Sequence, residues 1–252
     1  MSNSQVKSGS GPYRPKRGAK ATPRHLLAAA LPYRVGAASA AAGPASFIRL
    51  PAQVSMWGNY DHGDCVTAEE AFAKACNTPE IFISDDTVIS WATAHNVLEG
   101  AYLSDVLTWM QTGGFTQTGQ TYDDGSILAV DWKNAALLCQ AIWEGPVKIG
   151  VAADQLETTW RAVGGNQNGA RNGWLAAGYQ PDANEDHCVG LCGYGTLQWL
   201  AGQLGSTLPA GANGANPGYA VFTWGSIGII DVPSMLAITS EAWLRNPTTV
   251  IH

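Results

Sequence analysis

A helix-forming run that opens on a cysteine, Asp64-Cys65-Val66-Thr67-Ala68-Glu69-Glu70-Ala71-Phe72-Ala73-Lys74-Ala75-Cys76, is answered far downstream by an apolar strand that opens on a histidine, His187-Cys188-Val189-Gly190-Leu191-Cys192-Gly193-Tyr194-Gly195. Cys65, Ala68, Phe72, Ala75 and Cys76 fall on one helical face at three- and four-residue spacing. Asp64 stands where an N-cap is expected, and Gly63 permits a tight turn into the helix. Further helices are expected over 103–111, stopped by Gly113-Gly114, and over 134–143, stopped by Gly145-Pro146. The period then changes. Segments 147–151, 188–194 and 219–222 read as strands, and 162–185 and 201–218, rich in Gly, Asn and Ala, as long loops. Helices early and strands late imply an α+β body.

That body begins near Phe47. Before it, the first 50 residues hold eight Lys or Arg and no acid, so all 20 acids follow and the remainder carries 6 − 20 = −14. Residues 1–46 therefore read as an extended basic N-terminal arm, with a short helix near His25–Leu31. Its expected partners are another subunit or an acidic surface, and nucleic acid only through the arm itself. No run approaches the roughly 18 apolar residues of a membrane span, and no convincing signal peptide opens the chain. A cytoplasmic or particle-associated location is the expectation. No cofactor and no metal is expected. His62, Cys65, Cys188 and Cys192 lack diagnostic zinc spacing, there is no Gly-x-Ser-x-Gly, and no Gly-rich phosphate loop with Lys occurs.

A thiol is a strong nucleophile only as thiolate, and a helix N-terminus favours that charge. Cys65 in a first helical turn, with His187 as base, is therefore a candidate pair. The order of the surrounding motifs resembles the papain-like cysteine peptidase family. Gly58-Asn59-Tyr60-Asp61-His62-Gly63-Asp64-Cys65 resembles its nucleophile loop, and Gly100-Ala101-Tyr102-Leu103 its Gly-rich segment. Gly145-Pro146-Val147 resembles its turn before a strand, Asp186-His187-Cys188-Val189 its Asp-His-Ala-Val, and Tyr219-Ala220-Val221-Phe222-Thr223-Trp224-Gly225 its final Asn-Ser-Trp-Gly turn. The resemblance covers about residues 47–232. It implies a two-lobe fold, a helical lobe with a central Cys65-bearing helix and a β-barrel-like lobe carrying His187, with an extended peptide bound between them. It implies a peptide- or amide-cleaving hydrolase working through a thioester, with Gly100, Asp186 and Trp224 at the substrate. The oxyanion donors would be the Cys65 N–H and Asn59, each worth about 2.7–4 kcal/mol.

Four departures stand out. Asn59 replaces the family's Gln and is one methylene shorter. Phe222 replaces the Asn that orients the histidine, and Thr223 takes that role only if the strand slips by one residue, which reverses the face of a side chain. His62 replaces a disulfide cysteine, and no family-like inhibitory segment is visible before the body. Cys188 and Cys192 share a strand face and are too far apart to pair with each other. A pairing of one of them with Cys139 or Cys76 is the alternative, and buried free thiols are the simpler expectation. The rival to an enzyme is an inactive papain-like module in a larger assembly, such as a virus-like particle, laced to its neighbours by the arm. What separates the two is whether a side-chain oxygen of Thr223, Asn216 or a loop reaches His187.

Overall fold

The computed structural model describes residues 15–35, 43–165 and 172–252. The first part of the arm, 1–14, and segments 36–42 and 166–171 lie outside the described residues. In chain order the elements are β1 (Ala19–Lys20), α1 (Arg24–Ala29), β2 (Phe47–Ile48), α2 (Cys65–Ala75), α3 (Asp85–Ala94), β3 (Ala101–Tyr102), α4 (Leu103–Met110), β4 (Phe115–Gln117), β5 (Gln120–Asp123) and β6 (Ser126–Ala129). There follow α5 (Ala135–Glu144), β7 (Val147–Val151), α6 (Asp154–Ala162), β8 (Leu175–Ala176), β9 (His187–Thr196), α7 (Leu197–Gln203), β10 (Pro217–Thr223), β11 (Ser226–Asp231), α8 (Val232–Ile238), β12 (Thr239–Asn246) and β13 (Val250–Ile251).

The chain is α+β in two lobes. One lobe gathers α2, α3 and α4. The other is an eight-stranded sheet in the order β6-β12-β7-β9-β10-β11-β8, with β2 also paired to β9. The α2 helix lies between the lobes, and every one of its residues is buried. A helix covered on all sides belongs in the centre of a core. Its Phe72 stacks on Phe222 of β10 at 4.1 Å, and Trp57 meets Phe222 edge-on. Other helices start on side chains that accept a backbone N–H: Ser84 before α3, Asn134 before α5, Thr196 before α7 and Asp231 before α8.

Several expectations need correction. Asp64 precedes α2, but its carboxyl makes no cap hydrogen bond. It is buried against Gly58 and Ile89 instead, and burial pushes it up to about 8. The stretch 162–185 is not one long loop, since β8 pairs with β11 within it. The helices α3, α6, α7 and α8 and the strand β12 were not anticipated. All five cysteines are free. No described helix is long and apolar enough to cross a membrane.

The β9–β10 pair carries the site. Its register shifts between Ala220 and Val221: Ala220 faces Gly193 but Val221 faces Leu191, so β9 holds one extra residue, Cys192. Such a bulge lets both strands keep their apolar faces matched on either side of it. On β10, strict alternation then sends Phe222 toward α2 and Thr223 to the opposite face.

Candidate active site

The nucleophile candidate sits where the helix dipole is strongest, at the first residue of α2. The Cys65 thiol lies near the backbone N–H of Cys188, the residue after His187, which favours its thiolate. The N–H groups of Gly18 and Ala19 also lie near it, that of Ala19 while donating to Asp186 O. His187 opens β9 and is fully buried. Its ring stacks on Trp224 with centroids 4.4 Å apart and planes 16° from parallel. Trp224 is in turn packed on Trp160, and it holds a left-handed φ of 43° in the turn between β10 and β11.

A side-chain oxygen does reach the imidazole. Thr223 Oγ1 lies 2.7 Å from His187 Nε2. The face alternation of β10 explains this: Phe222, in the position of the family's Asn, points into the aromatic cluster with Phe72, and its neighbour meets the histidine. Asn216 does not serve this role; its backbone is engaged with Leu197 and Asn213. With Nε2 held, Nδ1 is buried and has no hydrogen-bond partner among the described residues. An unpartnered nitrogen in so dry a site is the atom left for a thiol or a substrate proton.

Asn59 is buried, and its amide donates to Lys16 O at 3.2 Å and His62 O at 3.1 Å. His62 itself lies at the rim, 3.8 Å from Glu99. The Trp224 indole donates to the same Lys16 carbonyl at 3.1 Å. Thus the groups assigned to substrate are engaged with the chain's own arm. Residues 15–22 form a strap through the cleft. Gly18 O accepts from Ala101 N at 2.8 Å, and Ala19 N donates to Asp186 O at 3.2 Å. Strand β1 runs parallel to β3, placing Ala19 opposite Ala101 and Lys20 opposite Tyr102. Thr22 N donates to the buried Glu241 carboxylate at 3.0 Å. Beyond the strap, Tyr33 is buried, with its hydroxyl donating to Glu144.

Three glycines make this approach possible. An added Cβ on Gly18 would fall well inside van der Waals distance of Gly63 O and 3.0 Å from Gly100 Cα. One on Gly63 would stand 2.8 Å from Arg17 O. Gly100, at φ +124°, would bring a Cβ to 2.5 Å from Gly18 O. Gly63 thus serves close backbone contact with the strap; its φ is not in the glycine-only region. That the arm packs along the cleft was not anticipated from the sequence. The strap is short and held largely through backbone groups, so it carries no side-chain period to read.

Burial dominates the electrostatics, and the strap's own N–H groups at Gly18 and Ala19 work against it at the thiol. Burial pushes the Cys65 thiol up to about 12; the Cys188 N–H opposes the rise and Asp64 adds to it. Burial pushes His187 down to about 3, helped by the positive charge of Arg17. Burial thus disfavours both charged forms, thiolate and imidazolium. Among the described residues no group of His, Cys, Asp or Glu is arranged to hold a metal ion.

No family model matches the chain, and no curated protein matches it. Solved structures do. Xylellain, a cysteine protease from Xylella fastidiosa, aligns over 94% of this chain and 98% of its own at 14% identity and a TM-score of 0.59. The procathepsin B S9 of Trypanosoma congolense aligns over 91% of this chain and 86% of its own at 10% identity and a TM-score of 0.58. The proform of the ragweed pollen cysteine protease Amb a 11 aligns over 80% of this chain at 12% identity and a TM-score of 0.53, and the chain spans 66% of that proform's length. The chain carries the papain-like two-lobe fold that these proteins share.

Proposed function

We propose that the chain is a latent papain-like cysteine peptidase, with Cys65 as nucleophile, His187 as base and Thr223 orienting the imidazole. The observation that carries this reading is the His187 ring clamped between Trp224 and Thr223 Oγ1 with its Nδ1 left unpartnered, while the Cys65 thiol lies near the backbone of Cys188, the next residue along. In the open cleft, water and the helix N-terminus favour thiolate, and His187 takes the thiol proton. The thiolate attacks a peptide carbonyl. The oxyanion forms near the Asn59 amide and the Cys65 N–H. The imidazolium then protonates the leaving amine, leaving a thioester that water hydrolyses.

The test is labelling with an epoxysuccinyl peptide and mass mapping, on the full chain with the strap displaced by Gly18→Ala. Fast modification confined to Cys65, and lost in His187→Ala, is the expected result. Labelling no faster at Cys65 than at the half-buried Cys139, or indifferent to His187→Ala, would sink the enzyme reading. A second reading is then favoured, a closed papain-like module whose pair is idle. The strapped state, with its raised thiol and lowered imidazole, is the observation on that side.

Thr223 supplies a separate prediction. Valine matches threonine in shape and removes the hydroxyl, so Thr223→Val frees the imidazole to rotate and to adopt either tautomer. The labelling rate of Cys65 in the opened chain should fall about ten- to a hundredfold, a part of what general base catalysis contributes. Thr223→Ser, which keeps an oxygen, should retain most of the rate. Equal rates for the valine and serine variants would remove Thr223 from the site.

A further inference from the structure

The strap's ion-paired anchor, Arg17, describes a pocket as well as a lock. Arg17 Nη1 lies 2.5 Å from Asp154 Oδ1 and 2.7 Å from Asp186 Oδ2, and Nη2 pairs with Glu157 Oε2. The three carboxylates come from two places. Asp154 and Glu157 share one face of the first turn of α6, and Asp186 immediately precedes His187. Each of two is already oriented by a second bond: Asp186 Oδ1 accepts from Ala153 N at 3.0 Å, and Glu157 Oε1 pairs with Arg161 at 2.8 Å. Their remaining oxygens converge on the guanidinium. A planar fork of N–H donors fits such an arrangement better than an ammonium does. Burial works against the charge on Arg17, yet the three carboxylates more than restore it.

We infer that Asp154, Glu157 and Asp186 form a guanidinium-binding subsite beside His187, which Arg17 fills in the latent chain and an arginine side chain of a peptide ligand fills when the strap leaves. This rests on the cleft reading above and names its substrate class. Two observations support it beyond the acidic cluster itself. A guanidinium of the same chain is seated there with all three contacts made. Asp186 directly precedes the buried His187, whose Nδ1 has no hydrogen-bond partner, and Arg17 lies close enough to His187 to lower its affinity for a proton. Once Arg17 withdraws, three carboxylates face one another with Arg161 as the cation paired with Glu157. Like charges so close favour whatever cation replaces it. The pocket also lies on the Trp224 side of Cys65, because the strap passes from Lys16 at Trp224 to Gly18 and Ala19 at the thiol. Selection for arginine is therefore expected at one position on that side of the attacked bond.

The full chain carrying Arg17→Ala and Gly18→Ala has the strap displaced and the internal guanidinium removed. Binding to it of two blocked octapeptides, with the sequence of residues 15–22 and differing only in arginine or citrulline at the third position, reads the subsite directly. Citrulline keeps the shape and loses the charge. The arginine peptide should bind at least about tenfold tighter, the order expected for a charge-assisted bidentate contact. That preference should vanish when Asp154→Asn and Glu157→Gln are added, with melting temperature confirming that this variant is folded. Equal binding of the two peptides, or a preference that survives the Asn and Gln changes, overturns the inference. Cleavage of a peptide mixture by the same chain is read in parallel. Arginine preference in binding without any cleavage would keep the subsite and discard the peptidase; cleavage without arginine preference would do the reverse.

Discussion

The Gly18→Ala chain is expected to react with a thiol-directed electrophile at Cys65 roughly a hundredfold faster than the wild-type chain. The reason is steric and local. The new methyl group would meet Gly63 O, Gly63 C and Gly100 Cα, all of them backbone, so no side chain can swing aside. Overpacking of this kind costs about 1–3 kcal/mol or more, and a factor of ten in an opening equilibrium corresponds to about 1.4 kcal/mol. The strap, held by a few backbone hydrogen bonds and by Arg17, gives way before the lobes do. Opening admits water to both members of the pair, which removes the burial that raises the thiol and lowers the imidazole. Access and reactivity therefore change together. A chain that melts at nearly the wild-type temperature and labels faster at Cys65 alone meets the expectation. A labelling rate unchanged from wild type would mean that the strap does not control access, and a general rise at Cys76, Cys188 and Cys192 would mean that the core has loosened.

How much of this was readable in the sequence varies element by element, for physical reasons. Helix α2 and strand β9 were legible because their apolar residues repeat with the period of the element and their ends carry Gly or a chemically distinctive residue. Strand β7 was legible as an apolar run between Pro146 and the loop that follows. Helix α6, Asp-Gln-Leu-Glu-Thr-Thr-Trp-Arg-Ala, was not, since it buries only Leu156 and Trp160 and offers too short a period. Strand β12 was hidden by Glu241 and Arg245, charged residues that the structure buries among partners.

The site shows the same division. Cys65 and His187 could be nominated as a pair from motif order alone. Thr223 could be named only conditionally, because which β10 residue faces the histidine depends on how Phe222 is accommodated against Phe72, a contact between segments far apart in the chain. The strap was invisible to pattern reading. Its specificity lies in Gly18, Gly63 and Gly100, which act by having no side chain, and in Arg17, which looks like any other base of the arm until Asp154, Glu157 and Asp186 are brought around it.

The amphipathic reading of α2 leaves Glu69, Glu70 and Lys74 off the apolar face, yet all three are buried, and the second large effect is expected there. Arg245 of β12 donates to Glu69 at 2.9 and 3.0 Å and to Glu70 at 2.7 Å. Lys148 of β7 pairs with Glu70, lies 3.3 Å from Glu69 and donates to Val66 O at 2.9 Å. Lys74 pairs with Asp124. Three bases thus balance three acids, and the pairs of Arg245 and Lys148 tie the helix that begins at Cys65 to the sheet that carries His187. Burial alone would push Glu70 up, but Arg245, Lys148 and Lys74 outweigh it and hold its carboxyl well below the ordinary range. The stabilisation linked to Glu70 is accordingly complete above the ordinary carboxylate pKa and is lost only as pH falls through its lowered value. Arg245→Met strands two carboxylates on one lysine and should destabilise the chain by about 3–5 kcal/mol, which at this size lowers the melting temperature by roughly 10 °C. Adding Glu69→Gln removes the charge left unpaired, so the double variant should melt above the single one. A double variant that melts lower still would mean that Glu69 is held by other groups. An Arg245→Met chain as stable as wild type would mean that the network does not fasten α2 to the sheet.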